Sequence, residues 1–226
     1  MEILHVNEFD RMEILDISKN SFEWGDYIGD VFDYWIKNGI FLKAVKDGII
    51  VGFLHIREYD KFIWLEGLRV RENYRRMGIG RFLTTKALEM FPGKISRMMI
   101  METNIPSLRL SEKLKFKVID KIYYKDGEKL NFGDIVKNYN LKISNEKLKE
   151  NYVDEWVYFE KEYYTGNIYE NEEGLKILKT SPPFILNGEV NFESIGKSKG
   201  NECFLVLEKN EDFYHSKNIQ SKISKF

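Results

Sequence analysis

Residues 62 to 90 join a strand, a glycine turn and a helix in one short run, and few folds accommodate that junction. Phe62 to Val70 is largely apolar, as a buried strand requires. Asn73-Tyr74-Arg75-Arg76-Met77-Gly78-Ile79-Gly80-Arg81 follows, and an amphipathic stretch from Ile79 to Met90 is stopped by Pro92-Gly93. Glycines let backbone N–H groups approach a ligand closely. The start of a helix adds unpaired donors and partial positive charge. Together with Arg75, Arg76 and Arg81 they read as a cradle for an anion, phosphate above all, or else as a glycine turn with solvated arginines. Two familiar cradles do not fit. A Walker loop needs Gly-Lys-Ser/Thr, and residues 80 to 82 are Gly-Arg-Phe; a dinucleotide fingerprint needs a third glycine, where Leu83 stands.

Around this junction the pattern is mixed α/β. Glu2 to Val6 reads as a strand, Glu8 to Asn20 and Trp24 to Asn38 as helices, with Tyr34 and Trp35 in the core. Ile40 to Val45 and Ile49 to Ile56 flank Asp47-Gly48, a hairpin signal. Ile95 to Met101 reads as a strand, Asn104 to Leu114 as a helix, and Phe116 to Tyr124 as a strand. Lys142 to Tyr152 looks charged and helical, and Trp156 to Phe159 and Cys203 to Leu207 look like strands. Cys203 to Leu207 is one candidate for the strand that completes the first sheet. The expected organisation is a domain over 1–144 and a smaller C-terminal α+β extension over 145–226. The aromatics of that extension suit a core of its own, a wall of an acceptor site, or a homodimer surface.

The charge balance, Lys+Arg 35 against Asp+Glu 36, gives net −1 and argues against a dedicated nucleic-acid protein; the lysine-bearing end, Lys217 to Lys225, reads as solvated. Cys203 stands alone, so neither an intrachain disulfide nor a cysteine metal cluster is expected, and no metal is. No apolar run approaches the roughly 20 residues of a membrane span. With no basic-then-apolar opening, the expected setting is cytoplasmic.

Leu65-Glu66-Gly67-Leu68-Arg69-Val70, followed by Tyr74-Arg75-Arg76-Met77-Gly78-Ile79-Gly80, resembles the acyl-CoA site of the GNAT N-acetyltransferase superfamily. Asn104-x-x-Ser107-x-x-Leu110-x-x-Lys113-Leu114-x-Phe116 resembles a second element of it, and the order of elements over residues 1 to 127 agrees. The resemblance implies the mixed sheet of the acyl-CoA N-acyltransferases and acetyl-CoA as cosubstrate. The pyrophosphate would lie on the backbone of Arg76, Met77, Gly78, Ile79, Gly80 and Arg81, with Arg75 adding charge. Pantetheine would run along the backbone of Leu68, Arg69 and Val70, with Asn104 near its end. Gly67 would mark a bulge admitting the thioester. Two positions depart from the family pattern: Ser111 stands where many members carry a tyrosine acid, leaving Tyr123 and Tyr124 as outside candidates, and Lys115 replaces a glycine.

An amine must lose a proton before it attacks a thioester, and a nearby carboxylate can take it. Glu66 is the first candidate, with pairing to Arg57 or Arg69 as its structural alternative. Glu102 is the second. Strand alternation gives Glu66, Leu68 and Val70 one nominal face unless Gly67 introduces a bulge. His55 reads as a satisfied sheet residue. The Phe22-to-Tyr27 junction, with Trp24 and Tyr27, is the candidate acceptor site, where ring faces and the acids Glu23 and Asp26 would suit a cationic amine. The expected activity is transfer of acetyl to a primary amine, of a small molecule by preference. The alternatives are protein lysine or N-terminal acetylation, and a non-catalytic acyl-CoA-binding regulatory module.

Overall fold

A computed structural model describes residues 1–19, 21 and 25–210. In chain order the elements are β1 (Glu2–His5), α1 (Arg11–Ser18), α2 (Ile28–Lys37), β2 (Ile40–Lys46), β3 (Ile49–Glu58), β4 (Phe62–Val70), α3 (Ile79–Met90) and β5 (Ile95–Met101). Then come α4 (Ile105–Lys113), β6 (Lys117–Lys125), α5 (Phe132–Asn138), β7 (Lys142–Ile143), β8 (Tyr152–Asp154) and β9 (Val157–Phe159). The last are β10 (Ile168–Glu170), β11 (Lys176–Leu178), β12 (Phe184–Asn187), β13 (Ser194–Gly196) and β14 (Glu202–Lys209). The fold is α/β with a mixed sheet, as the sequence indicates.

The chain forms two compact units that are not successive segments. Among the described residues one comprises Met1–Arg97, Leu110–Phe116 and residues 208–210; the other comprises Met98–Arg109 and Lys117–Leu207. In the first, the strand order is β1-β2-β3-β4-β5, antiparallel except for the parallel β4–β5 pair. The β2–β3 hairpin turns at Asp47 (φ 52°) and Gly48 (φ 78°), the double positive φ of a type I′ turn, whose twist matches the strands. Val6, Ile14, Ile17, Ile28, Phe32, Trp35, Phe41, Ile50 and Phe53 form a core between α1, α2 and the sheet. Trp35 is 1% exposed, whereas Tyr34, expected beside it in the core, is 50% exposed because it lies on the outer face of α2.

In the second unit β14 lies between β5 and β6, and the order continues β6-β13-β12-β11-β10-β7, with β8–β9 a separate pair. Cys203 to Leu207 is therefore the strand that completes the sheet beside β6. The helix expected over Lys142 to Tyr152 does not form. Residues 142–143 pair with β10 instead, and the Ser144 N–H donates to Ile168 O. Cross-strand pairing outweighs the helical propensity of Lys and Glu there. The helix unrecognised in the sequence is α5, capped by Asn131 and burying Ile135.

Candidate active site

β4 is the organising strand. Its ladder with β5 runs from Phe62–Ile95 to Trp64–Arg97, and beyond Trp64 no β5 partner continues on that edge. On the other edge the β3 register jumps. His55 lies opposite Glu66, but Phe53 lies opposite Arg69, so Gly67 and Leu68 together face Leu54. This is the expected bulge. Gly67 has φ +67°, and a Cβ built there would meet Trp35 Cη2 at 2.2 Å. Only glycine satisfies both the left-handed backbone and the indole lying on it.

The bulge reverses the alternation that the sequence suggests. Leu68 and Val70 face α3, reaching within 3.6 and 3.8 Å of a Cβ built on Gly80. Glu66 faces the α1–α2 side, where it meets His55 and Arg57. Arg69 faces that side too and forms an ion pair with Asp26 (2.7 and 3.1 Å). Glu66, Leu68 and Val70 therefore do not share a face.

The glycine turn has the form of an anion cradle. Arg76 (φ 62°) and Gly78 (φ 83°) are both left-handed, and Gly78 caps α3. A Cβ at Gly78 would meet nothing within 4 Å, so backbone conformation rather than space selects glycine there. The Phe82 N–H bonds Gly78 O, but among the described residues the N–H groups of Gly78, Ile79, Gly80 and Arg81 have no acceptor. They are the first-turn donors that a helix leaves open. The first turn holds no acidic residue. Arg75, Arg76 and Arg81 are exposed, and none has a carboxylate partner among the described residues. Arg75 Nε donates to Val70 O at 3.3 Å, tying the turn to the end of β4. These groups fit a phosphate-bearing ligand: open N–H donors, a nest of left-handed residues and uncompensated cations.

The acceptor side is more crowded than the sequence suggests. Trp24 lies outside the described residues. Tyr27 is 38% exposed and packs edge-on against Trp35 at 6.1 Å, with the Arg69 guanidinium over its ring at 5.5 Å. Asp26 is spent on Arg69 and on the Ile28 N–H, so it is not a free acid for an amine. Glu66 Oε1 receives Arg57 Nε and lies against His55 Nδ1, each at 2.7 Å. Glu66 Oε2 has no hydrogen-bond partner among the described residues. The sequence paired Glu66 with Arg57 correctly in principle but missed His55, whose parity on β3 was the available signal.

In the other unit, Asn104 caps α4: its Oδ1 accepts the Ser107 N–H at 3.3 Å, and its Nδ2 has no acceptor among the described residues. Glu102 is exposed and pairs with Lys121 at 3.1 Å, which holds its carboxyl below the ordinary value. The Tyr124 hydroxyl donates to Glu193 at 2.9 Å; burial first, then that carboxylate, pushes the phenol well above its ordinary value, so it is a poor acid. In the first unit Ser111 is buried at 2% exposure. The turn after α4 survives the loss of its family glycine. Lys115 takes φ 65°, the Phe116 N–H bonds Ser111 O, and the Lys115 N–H bonds Glu112 O, a complete Schellman motif. Among the described residues no cluster of His, Cys, Asp and Glu could hold a metal, and no helix is long and apolar enough to cross a membrane.

Residues 9–116 match the model of the Acetyltransferase (GNAT) family. A provisionally assigned acetyltransferase from Thermoplasma acidophilum has a similar fold. Its TM-score is 0.63 at 18% identity, over 93% of this chain and 100% of that one. The ribosomal-protein-S18-alanine N-acetyltransferase of Escherichia coli aligns over 100% of this chain and 99% of its own, with TM-score 0.52 and 12% identity. At those identities the likeness is one of fold. No curated protein matches the sequence closely enough to count as a relative.

Proposed function

We infer that this chain, whose residues 9–116 match the GNAT acetyltransferase family model, transfers acetyl from acetyl-CoA to a primary amine of a small molecule by direct attack. One observation carries the reading. The anion cradle at Arg76–Arg81 opens directly after a strand that has no β5 partner beyond Trp64 among the described residues and is bulged at Gly67 against β3. Pyrophosphate on the cradle and an extended arm along the β4 edge would bring the thioester to the bulge.

In this reading the amine approaches from the α1–α2 side, where Glu66 lies. The amine nitrogen bonds to the thioester carbon as its proton passes to Glu66 Oε2. The bulged β4 backbone donates to the carbonyl oxygen as charge develops there. The carbon–sulfur bond then breaks, and the thiolate leaves with a proton from solvent, since Ser111 is buried and the Tyr124 hydroxyl is held by Glu193. Glu102 is the second candidate for the base; it is exposed, and Lys121 pairs with one of its oxygens. Asp26 being paired, Tyr27 and the Glu66 carboxylate are what remain among the described residues to receive an amine on this side.

The test is thiol release from acetyl-CoA against amino acids, polyamines, aminoglycosides, and peptides with free N-termini or lysines. Wild type is run beside Glu66→Gln. Turnover on a small amine, with kcat falling roughly 100-fold in the variant, is expected. Turnover confined to peptides would move the acceptor to proteins, and turnover unchanged in the variant would remove Glu66 from the mechanism. Binding of acetyl-CoA without release on any amine would leave only a binding module.

A further inference from the structure

His55 is fully buried, and both of its ring nitrogens face acceptors. Nε2 lies 2.7 Å from the carbonyl oxygen of Asn38. A carbonyl only accepts, so Nε2 carries a proton. Nδ1 lies 2.7 Å from Glu66 Oε1. With Nε2 protonated, a neutral ring would present a bare lone pair to that carboxylate oxygen. One further proton must lie between them. Arg57 Nε donates to the same oxygen at 2.7 Å, and its guanidinium favours a charged carboxylate over a neutral carboxyl. The proton therefore belongs on the ring, and the pair is an imidazolium and a carboxylate.

The ring has little freedom to leave this arrangement. It stacks on Trp35 at 4.4 Å with a 3° interplanar angle, and Phe41 packs edge-on at 5.8 Å. A Cβ on Gly39 would lie 2.7 Å from Nε2, so the chain leaving α2 closes the remaining side. The charged groups in contact with the ring and its carboxylate are Glu66 and Arg57 alone among the described residues.

We propose that His55 is a positioning residue of the transfer reaction: as an imidazolium locked between the Asn38 carbonyl and Glu66, it pins Oε1 and thereby aims Oε2 at the acceptor amine. This rests on the reading of Glu66 as the base. The geometry explains why a carboxylate beside the bulge leaves one oxygen held by two donors and the other without a partner among the described residues. Trp35 serves both ends of the device, since its indole stacks on His55 and lies against Gly67. The acid and the bulged backbone are thus referenced to one side chain.

The experiment has a substrate-free arm and a kinetic arm. Nitrogen-15 NMR of the histidine ring nitrogens in the full chain reads the protons on His55 directly; His5 and His215 are assigned by substitution. Two ring protons are expected in wild type. One is expected in Glu66→Gln, whose amide can donate to Nδ1. A neutral His55 in wild type would overturn the proposal whatever the enzyme does. In the kinetic arm His55→Phe keeps the stacked ring and removes both donors. A kcat lower by roughly 10- to 100-fold with the KM for acetyl-CoA unchanged is expected. Unchanged kcat in a folded His55→Phe, or equal loss in kcat and in acetyl-CoA binding, would sink the positioning role. Absence of thiol release from wild type would remove the activity and the role together. The NMR arm, needing no substrate, distinguishes that failure from a neutral His55.

Discussion

Gly67→Ala tests the bulge on which the site depends. A Cβ there would lie 2.2 Å from Trp35 Cη2 and 2.6 Å from Cζ3, on a backbone at φ +67°. The indole cannot swing aside, because it is 1% exposed and packed against Tyr27, Phe41 and His55. Overpacking of this kind costs about 1–3 kcal/mol. A side chain in the left-handed region adds about 1 kcal/mol. The sum, about 2–4 kcal/mol, corresponds to roughly 5–15 °C in Tm for a chain of this size. The clash has a specific partner, so it is separable by a double-mutant cycle with Trp35→Phe. Phenylalanine is shorter where the clash occurs, and Trp35 Nε1 has no hydrogen-bond partner to lose among the described residues. In that background Gly67→Ala is expected to cost only the conformational part, about 1 kcal/mol. Denaturant unfolding of the four proteins measures the cycle. Additive effects, or a cost below about 1 kcal/mol in wild type, would refute the argument that Trp35 and Gly67 define the bulge together.

Arg76→Gln and Arg81→Gln are each expected to raise the KM for acetyl-CoA about 3- to 10-fold with kcat little changed. The effect should shrink at high salt, because the proposed function has these exposed cations act on the anion and not on the reacting carbon. Lys115→Gly should stabilise the fold by about 1 kcal/mol in denaturant unfolding, since the residue already occupies φ 65°. Tyr124→Phe should leave kcat within about twofold, because the phenol proton is held by Glu193. Asp16, Glu102 and Glu146 have carboxyls held low by Lys19, Lys121 and Lys176 respectively. Their contribution to stability is therefore present above the ordinary carboxylate range and lost as pH falls below it to the lowered values of the folded state. Melting temperature against pH should decline on that acid side and flatten above it, with salt weakening the effect.

Much of the first unit was legible because its signals are local. Asp47-Gly48 marks a hairpin, and Phe62–Val70, Ile79–Met90 and Ile95–Met101 come out with the bounds read from pattern, since turn residues and helix stops flank them. The cradle was legible for the same reason: two glycines, an arginine run and a helix start lie within nine residues. Lys142 to Tyr152 failed because its lysines and glutamates suit a helix, while the partner that holds residues 142–143 extended is β10, some 25 residues later.

By itself the sequence determined which residues can bend and which can bear charge. It placed a left-handed glycine in β4, a nest of donors before α3 and a carboxylate near both. Only tertiary structure decided which way those groups face. Trp35, thirty-two residues before Gly67, lies on the bulge and fixes it, and the extra residue turns Glu66 away from Leu68 and Val70 and toward His55. The same holds for β14, which enters between β5 and β6 from the far end of the chain. Periodicity states a side chain's alternation along its own strand; which neighbour it meets depends on register and packing between distant segments, and those are set when the core closes.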